Sequence, residues 1–174
     1  MNKLLIVVDM QNDFVDGALG TPEARSIVGR VAERIRKAVA DNDAILFTRD
    51  THTEQYLETQ EGTRLPVRHC IKGTHGWQLA DAVQEAFPLW QNSVINKVTF
   101  GSMALAEMLK GRSFEQIELV GLCTDICVIS NALLVKAYMP ETPVAVRADC
   151  CAGVTPQSHQ TALEAMKMCQ IDII

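Results

Sequence analysis

The chain has 174 residues, 48% of them hydrophobic and 21% charged, with a formal net charge of −5 at pH 7. That length suits one domain, spanning residues 1–174, with a sizeable core. The acidic balance argues against nucleic acid or an anionic membrane as the main partner, and no apolar run approaches the roughly 20 residues of a membrane span.

The first element is the apolar run Leu4–Val8, which reads as a buried strand. The apolar stretch is too short for a secretory signal and no small-residue cleavage site follows it. The expected location is therefore cytoplasmic, and the six cysteines (Cys70, Cys123, Cys127, Cys150, Cys151 and Cys169) read as thiols rather than a disulfide framework. No Cys-x-x-Cys pair occurs, which disfavours a structural zinc knuckle. Asp9 directly follows the strand. A carboxylate there either caps a turn with Asn12 and Asp13 or serves as a general base at the sheet's carboxyl edge.

Pro22–Ala40 is an amphipathic helix, with Ile27, Val31, Ile35 and Val39 at four-residue spacing. A second strand, Ala44–Thr48, leads into Asp50–Thr74, which has no clean period. Its length and its content of His52, Tyr56, Leu57, Leu65 and His69 favour an ordered, functional loop. Asp50, His52 and His69, with Glu61 between them, offer imidazoles and carboxylates suited to zinc, iron or manganese. A helix over Trp77–Ala86 and a strand over Val94–Asn96 follow. Lys97 ends that strand, either as a solvated surface residue or as a cation holding Asp9 ionised and a neighbouring thiol activated.

Met103–Lys110 reads as a helix and Ile117–Leu122 as a strand. Beyond it a helix spans Asp125–Tyr138, with Thr124 and Asp125 as capping candidates and Cys127 in its first turn. A thiol there is either a core filler or a nucleophile whose pKa the helix dipole lowers. The strand Val144–Val146, the helix Gln157–Met168 capped by Thr155 with Pro156 at its first position, and a sixth strand at Ile171–Ile174 complete the chain. The alternation predicts an α/β fold, a doubly wound, mainly parallel sheet with helices on both faces. Neither a Gly-x-Gly-x-x-Gly after the first strand nor a Walker sequence is present, so a dinucleotide or nucleoside triphosphate cofactor is not expected.

Three blocks, Leu4-Leu-Ile-Val-Val-Asp9-Met-Gln-Asn-Asp-Phe14, Asn96-Lys97-Val-Thr-Phe-Gly-Ser102 and Val120-Gly-Leu-Cys-Thr-Asp-Ile-Cys127-Val128, together resemble the isochorismatase-like cysteine hydrolases, and within them the nicotinamidases. They occur in the family's order and span most of the chain. The resemblance implies a Rossmann-like six-stranded sheet and a catalytic triad of Asp9, Lys97 and Cys127. It also implies a non-proline cis peptide, placed at Leu122–Cys123, and an oxyanion hole from the backbone N–H groups of Cys123 and Cys127. It implies a divalent transition metal, zinc first and iron or manganese next, held by Asp50, His52 and His69. The family's usual second histidine after Asp-x-His is replaced here by Thr53-Glu-Gln-Tyr56, so Glu61 is the fourth-ligand candidate and Glu58 the reserve. Phe14 and Phe100 would wall a flat ring, or equally be core.

The expected reaction is hydrolysis of nicotinamide to nicotinate and ammonia through a cysteine thioester. Other readings are a family hydrolase of another small amide, ureido compound or vinyl ether, and a non-catalytic ligand-binding or thiol-redox module. The partner is a small molecule, and the family resemblance implies a homo-oligomer.

Overall fold

The computed structural model describes residues 3–174. Six strands form one parallel sheet: β1 (Lys3–Val8), β2 (Ala44–Asp50), β3 (Val94–Lys97), β4 (Gln116–Leu122), β5 (Val144–Ala152) and β6 (Asp172–Ile173). Their spatial order is β3-β2-β1-β4-β5-β6. The helices are α1 (Asn12–Val15), α2 (Pro22–Ala40), α3 (Gln60–Arg64), α4 (Asp81–Ala86), α5 (Met103–Met108), α6 (Ile129–Tyr138) and α7 (Pro156–Met168).

The side-chain alternation of a strand divides β1 between two cores. Leu5 and Val7 join Ile45, Phe47, Ile27, Val31, Ile35 and Val83 on the α2–α4 face. Leu4, Ile6 and Val8 join Leu46, Leu105, Val128, Val135, Leu163 and Met166 on the α5–α6–α7 face. Burial on both faces is why the central strands read as unbroken apolar runs.

Several predicted boundaries shift, each for a local reason. In α2 the buried stripe passes through Ile27, Val31 and Ile35 to Ala38, while Val39 is 46% exposed. Residues four apart advance 40° beyond a full turn, so the fourth member of that series has rotated off the core. Trp77–Ala80 is not helical: Leu79 bridges Gln11 and the helix begins at Asp81. Strand β5 runs on through Arg147 and Asp149 to Ala152, because Arg147 is paired with Glu118 of β4. The segment predicted as loop, Asp50–Thr74, contains a 3₁₀ turn (Tyr56–Glu58) and α3.

Gly121 is the glycine the sheet needs. Its φ is +119°, and a Cβ there would lie 2.1 Å from the Val8 carbonyl oxygen of β1. The β4–β5 register also shifts between Leu119 and Gly121, as expected where a strand bulges around a glycine.

Candidate active site

In the order β3-β2-β1-β4-β5-β6 the direction of winding reverses between β1 and β4. A crevice opens there at the carboxyl ends of the strands, where α/β sheets receive ligands. Asp9 leaves β1 at this point with a positive φ of 46°. Cys123–Cys127 leave β4 beside it, and the Leu122–Cys123 peptide is cis. Lys97 ends β3, in register with Asp50 of β2, and reaches across the end of β2.

The three side chains converge. Lys97 Nζ lies 2.6 Å from Asp9 Oδ2 and 3.5 Å from Cys127 Sγ. It also lies 3.3 Å from Asp50 Oδ1, and it donates to the Thr99 carbonyl at 3.1 Å. Thr48 donates to Asp9 Oδ1 at 2.7 Å, leaving Oδ2 with the ammonium as its partner. All three side chains are buried. Burial raises the Asp9 carboxyl above its ordinary range, against the opposing pull of Lys97. Burial works against the Lys97 cation too, but Asp9, Cys127 and Asp50 outweigh it and hold the ammonium charged.

The thiol behaves otherwise than expected. Burial first, and the Asp9 charge second, push Cys127 well above its ordinary value, with Lys97 opposing. The resting Cys127 is therefore a thiol, beside Asp9 and the Lys97 ammonium. Burial thus outweighs the lowering expected at a helix start, and Cys127 sits in a five-residue π-helical turn, Thr124–Val128, ahead of α6. Neither Thr124 nor Asp125 caps that turn: Cys123 occupies the cap position, while Thr124 bonds His159 and Asp125 accepts from the Val154 N–H.

The second cluster adjoins the first through Lys97. One ligand atom each from Asp50, His52, Glu61 and His69 lie within 4.8 Å of one another. His52 Nε2 is 2.8 Å from Asp50 Oδ2 and 3.6 Å from Glu61 Oε1. His69 Nε2 is 3.6 Å from Asp50 Oδ2 and 3.7 Å from Glu61 Oε1. The pairing of His69 Nδ1 with the Val67 carbonyl at 2.8 Å leaves Nε2 facing the carboxylates, the outer-shell arrangement of a metal-binding imidazole. Glu61 is raised by its burial and then by the Asp50 charge, whereas His52, His69 and Lys97 overcome the burial of Asp50 and hold it low. Two crowded carboxylates and two imidazoles are a donor set that fits a divalent cation. Glu58, the reserve ligand, is exposed and outside the cluster.

The local folding that assembles this cluster escaped the sequence reading. His52 donates its N–H to the Cys70 carbonyl at 2.9 Å and accepts from the Lys72 N–H at 2.9 Å, which brings His69 alongside. Asp13 accepts from the Cys70 N–H at 2.7 Å. Buried Gln11 donates to the carbonyls of Asp50 and Trp77 and accepts from the Asp50 N–H at 2.7 Å. The Tyr56 ring packs 4.6 Å from the His52 ring and 4.9 Å from that of His69. Gly62 lets α3 close on the Tyr56 turn, since a Cβ would meet the Tyr56 carbonyl oxygen at 2.1 Å, and so places Glu61. On the other side Asn131 donates to the carbonyls of Cys127 and Phe100 at 2.8 and 3.0 Å. The signal for Gln11 and Asn131 was a polar residue in an apolar setting next to a candidate catalytic residue.

A cavity of about 260 Å³ joins the two clusters. Phe14, Phe100, Leu19, Leu65, Ile126 and Val154 supply its apolar wall, Cys127 and Cys123 one end, and Asp50, Glu61 and His69 another. Phe14 is buried and Phe100 stands at the rim, 42% exposed. No lysine or arginine is among the lining residues.

The comparisons with known proteins agree with this geometry. The isochorismatase domain model matches residues 3–174. An uncharacterized isochorismatase family protein, PncA, of Bacillus subtilis is 31% identical over 94% of this chain and 93% of its own. The crystal structure of a Pyrococcus horikoshii pyrazinamidase in complex with zinc aligns at a TM-score of 0.81 with 31% identity, covering 99% of this chain and 98% of that one. A pyrazinamidase/nicotinamidase from Streptococcus mutans aligns at 0.84 with 30% identity, covering 99% of both. The chain belongs to the isochorismatase family, on the branch that includes the nicotinamidases and pyrazinamidases.

Proposed function

We propose that the protein is an amidohydrolase that converts nicotinamide to nicotinate and ammonia, with Cys127 as nucleophile. The carrying observation is Lys97 Nζ, within 3.5 Å of Asp9, Asp50 and Cys127. One ammonium thus ties a thiol–carboxylate pair to a metal-type donor set beside an apolar cavity. Asp9 accepts the thiol proton as Cys127 attacks the amide carbonyl, and the N–H groups of Cys123 and Cys127 receive the oxyanion. The C–N bond breaks, the proton on Asp9 leaves with ammonia, and Asp9 then activates the water that cleaves the thioester to release nicotinate. Lys97 stays an ammonium throughout, balancing Asp9.

Asp50, His52, Glu61 and His69 would hold a divalent metal, zinc first, whose bound form supplies a Lewis-acidic contact for the pyridine nitrogen. Phe14 and Phe100 hold the ring from its flat sides. The absence of lysine and arginine from the lining favours an uncharged amide over ureido acids or a vinyl-ether diacid, which would bring carboxylates beside Asp50 and Glu61. Ammonia release should be followed over nicotinamide, pyrazinamide and carbamoyl amino acids. Turnover of the two neutral ring amides alone is expected, and faster turnover of the acids would overturn this reading.

A further inference from the structure

The turn that presents Cys127 is fastened by hydrogen bonds from two consecutive residues to the first turn of α7 and the segment just before it. The fully buried Thr124 hydroxyl lies 2.8 Å from Nδ1 of half-buried His159. Both Asp125 carboxylate oxygens lie 3.2 Å from the Val154 N–H. The local sequence builds this junction deliberately. Thr155 and Ser158 form a reciprocal capping box that fixes the first turn of α7, and His159 follows immediately. Gly153 allows the close approach, since a Cβ on it would lie 2.8 Å from the His159 nitrogen. Burial lowers the imidazole's proton affinity more than Asp125 raises it, so the ring is neutral at pH 7 and can share one hydrogen bond with a hydroxyl.

A π-helical turn needs such a tether. Its backbone pairing is looser than that of an α-helix, and π turns of this kind are recurrent at functional sites. The Asn131 amide holds the turn from one side, through the Cys127 carbonyl. His159 holds it from the other, through the residue midway between the β4 end and Cys127. We propose that His159 is a positioning residue for catalysis: through Thr124 it fixes the turn that aims the Cys127 thiol and the backbone N–H groups around it. It touches no reacting atom. The inference rests on Cys127 being the nucleophile, and adds a residue on α7 to the apparatus.

The test uses His159→Ala, His159→Asn and Thr124→Val in the full chain, with two readouts. Asparagine restores a hydrogen-bonding group near the Nδ1 position, and valine keeps the shape of threonine without its hydroxyl. In nicotinamide hydrolysis, His159→Ala and Thr124→Val should each lower kcat by about tenfold with KM within about twofold, since a misaimed turn costs orientation rather than substrate binding. The double variant should be no worse than either single one, because both cut the same link. His159→Asn should recover most of the loss. The rate of Cys127 alkylation by iodoacetamide, read by mass spectrometry, should fall in the same two variants and recover in the third. That readout needs no amide substrate: a wild-type protein alkylated at Cys127 but inert to nicotinamide would refute the proposed substrate and still leave the tether under test. Unchanged kcat and alkylation in His159→Ala, additive losses in the double variant, or failure of asparagine to restore activity would each overturn the positioning role.

Discussion

At the scale of single residues, two thiols four positions apart, Cys123 and Cys127, separate cleanly. Burial pushes the Cys123 thiol up to about 12, and Cys127 is raised too, so titration alone does not distinguish them. Geometry does, because only Cys127 has Lys97 Nζ within hydrogen-bond reach of its sulfur. Cys127→Ala should abolish ammonia release with the fold intact by circular dichroism, whereas Cys123→Ala should retain most activity, since only its backbone N–H is used. Equal losses would remove the assignment. Asp9, Lys97, Cys127 and the four ligand candidates stand out in the sequence as polar residues at strand ends, in a helix's first turn or in an aperiodic loop, and the family resemblance supplies the roles proposed for them. Gln11 and Asn131 could not be given roles. Their partners are backbone groups 39 and 31 positions away, for Asp50 and Phe100, and no local pattern encodes such a bond.

At the scale of elements, β4 carries the most consequence. Gly121→Ala would drive a Cβ into the Val8 carbonyl in a backbone conformation alanine resists. A loss of about 2–4 kcal/mol is expected from the denaturant midpoint. Activity should fall further than stability accounts for, because Asp9 follows Val8 and Cys127 lies six residues beyond Gly121. The other end of β4 sets an acid limit. Burial disfavours the Glu118 carboxylate, yet Arg34 and Arg147 reverse this and hold its folded pKa below the ordinary 4.5. A depressed pKa means the stabilisation is complete above the unfolded value and is lost as pH falls through the folded one. Wild type should therefore exceed Glu118→Gln in denaturant midpoint near neutrality, and the gap should shrink below pH 4.5. A gap independent of pH would assign the effect to packing. The same pair explains why β5 was read short. Arg147 and Asp149 look like loop residues in isolation, and the extended run is held by Arg147 on Glu118 of the next strand and by Arg30 of α2 on the Asp149 carbonyl.

At the scale of the whole molecule, the parallel sheet and its two helix layers are legible in the sequence because βα alternation with right-handed crossovers leaves few arrangements, whereas the strand order β3-β2-β1-β4-β5-β6 comes from the structure. The meeting of Lys97 with Asp9 is one of two readings the sequence leaves open, and the reach of the lysine across the end of β2 decides it. The 50–74 segment was read as ordered, but its internal turns were hidden: their stability comes from Tyr56, Gly62 and the facing imidazoles rather than from any period. The donors of Asp50, His52, Glu61 and His69 gather the two ends and the middle of that segment at one point, where a bound metal would tie them together. Removing metal by chelation should lower Tm by about 5–10 °C and open the segment to proteolysis. Restoration by zinc would be seen in the same melt, and a Tm indifferent to chelator and added zinc would show that the loop stands on protein contacts alone.

Lys97 also constrains how this site can change over time. One ammonium lies between two buried carboxylates, Asp9 at 2.6 Å and Asp50 at 3.3 Å, so its loss leaves Asp9 without a cation while Asp50 keeps His52 at 2.8 Å, whereas loss of Asp9 first leaves the cation with Asp50. Breaking a buried pair from one side costs about 3–5 kcal/mol, while replacing the pair together costs far less. Lys97→Met should therefore melt below the Asp9→Asn, Lys97→Met double variant, a case in which a second substitution repairs the first. The epistasis has a direction. A chain losing Asp9 and then Lys97 keeps its cation partnered at each step, whereas the reverse order passes through a poorly folding intermediate, so folding constrains the Lys–Asp pair separately from the proposed reaction.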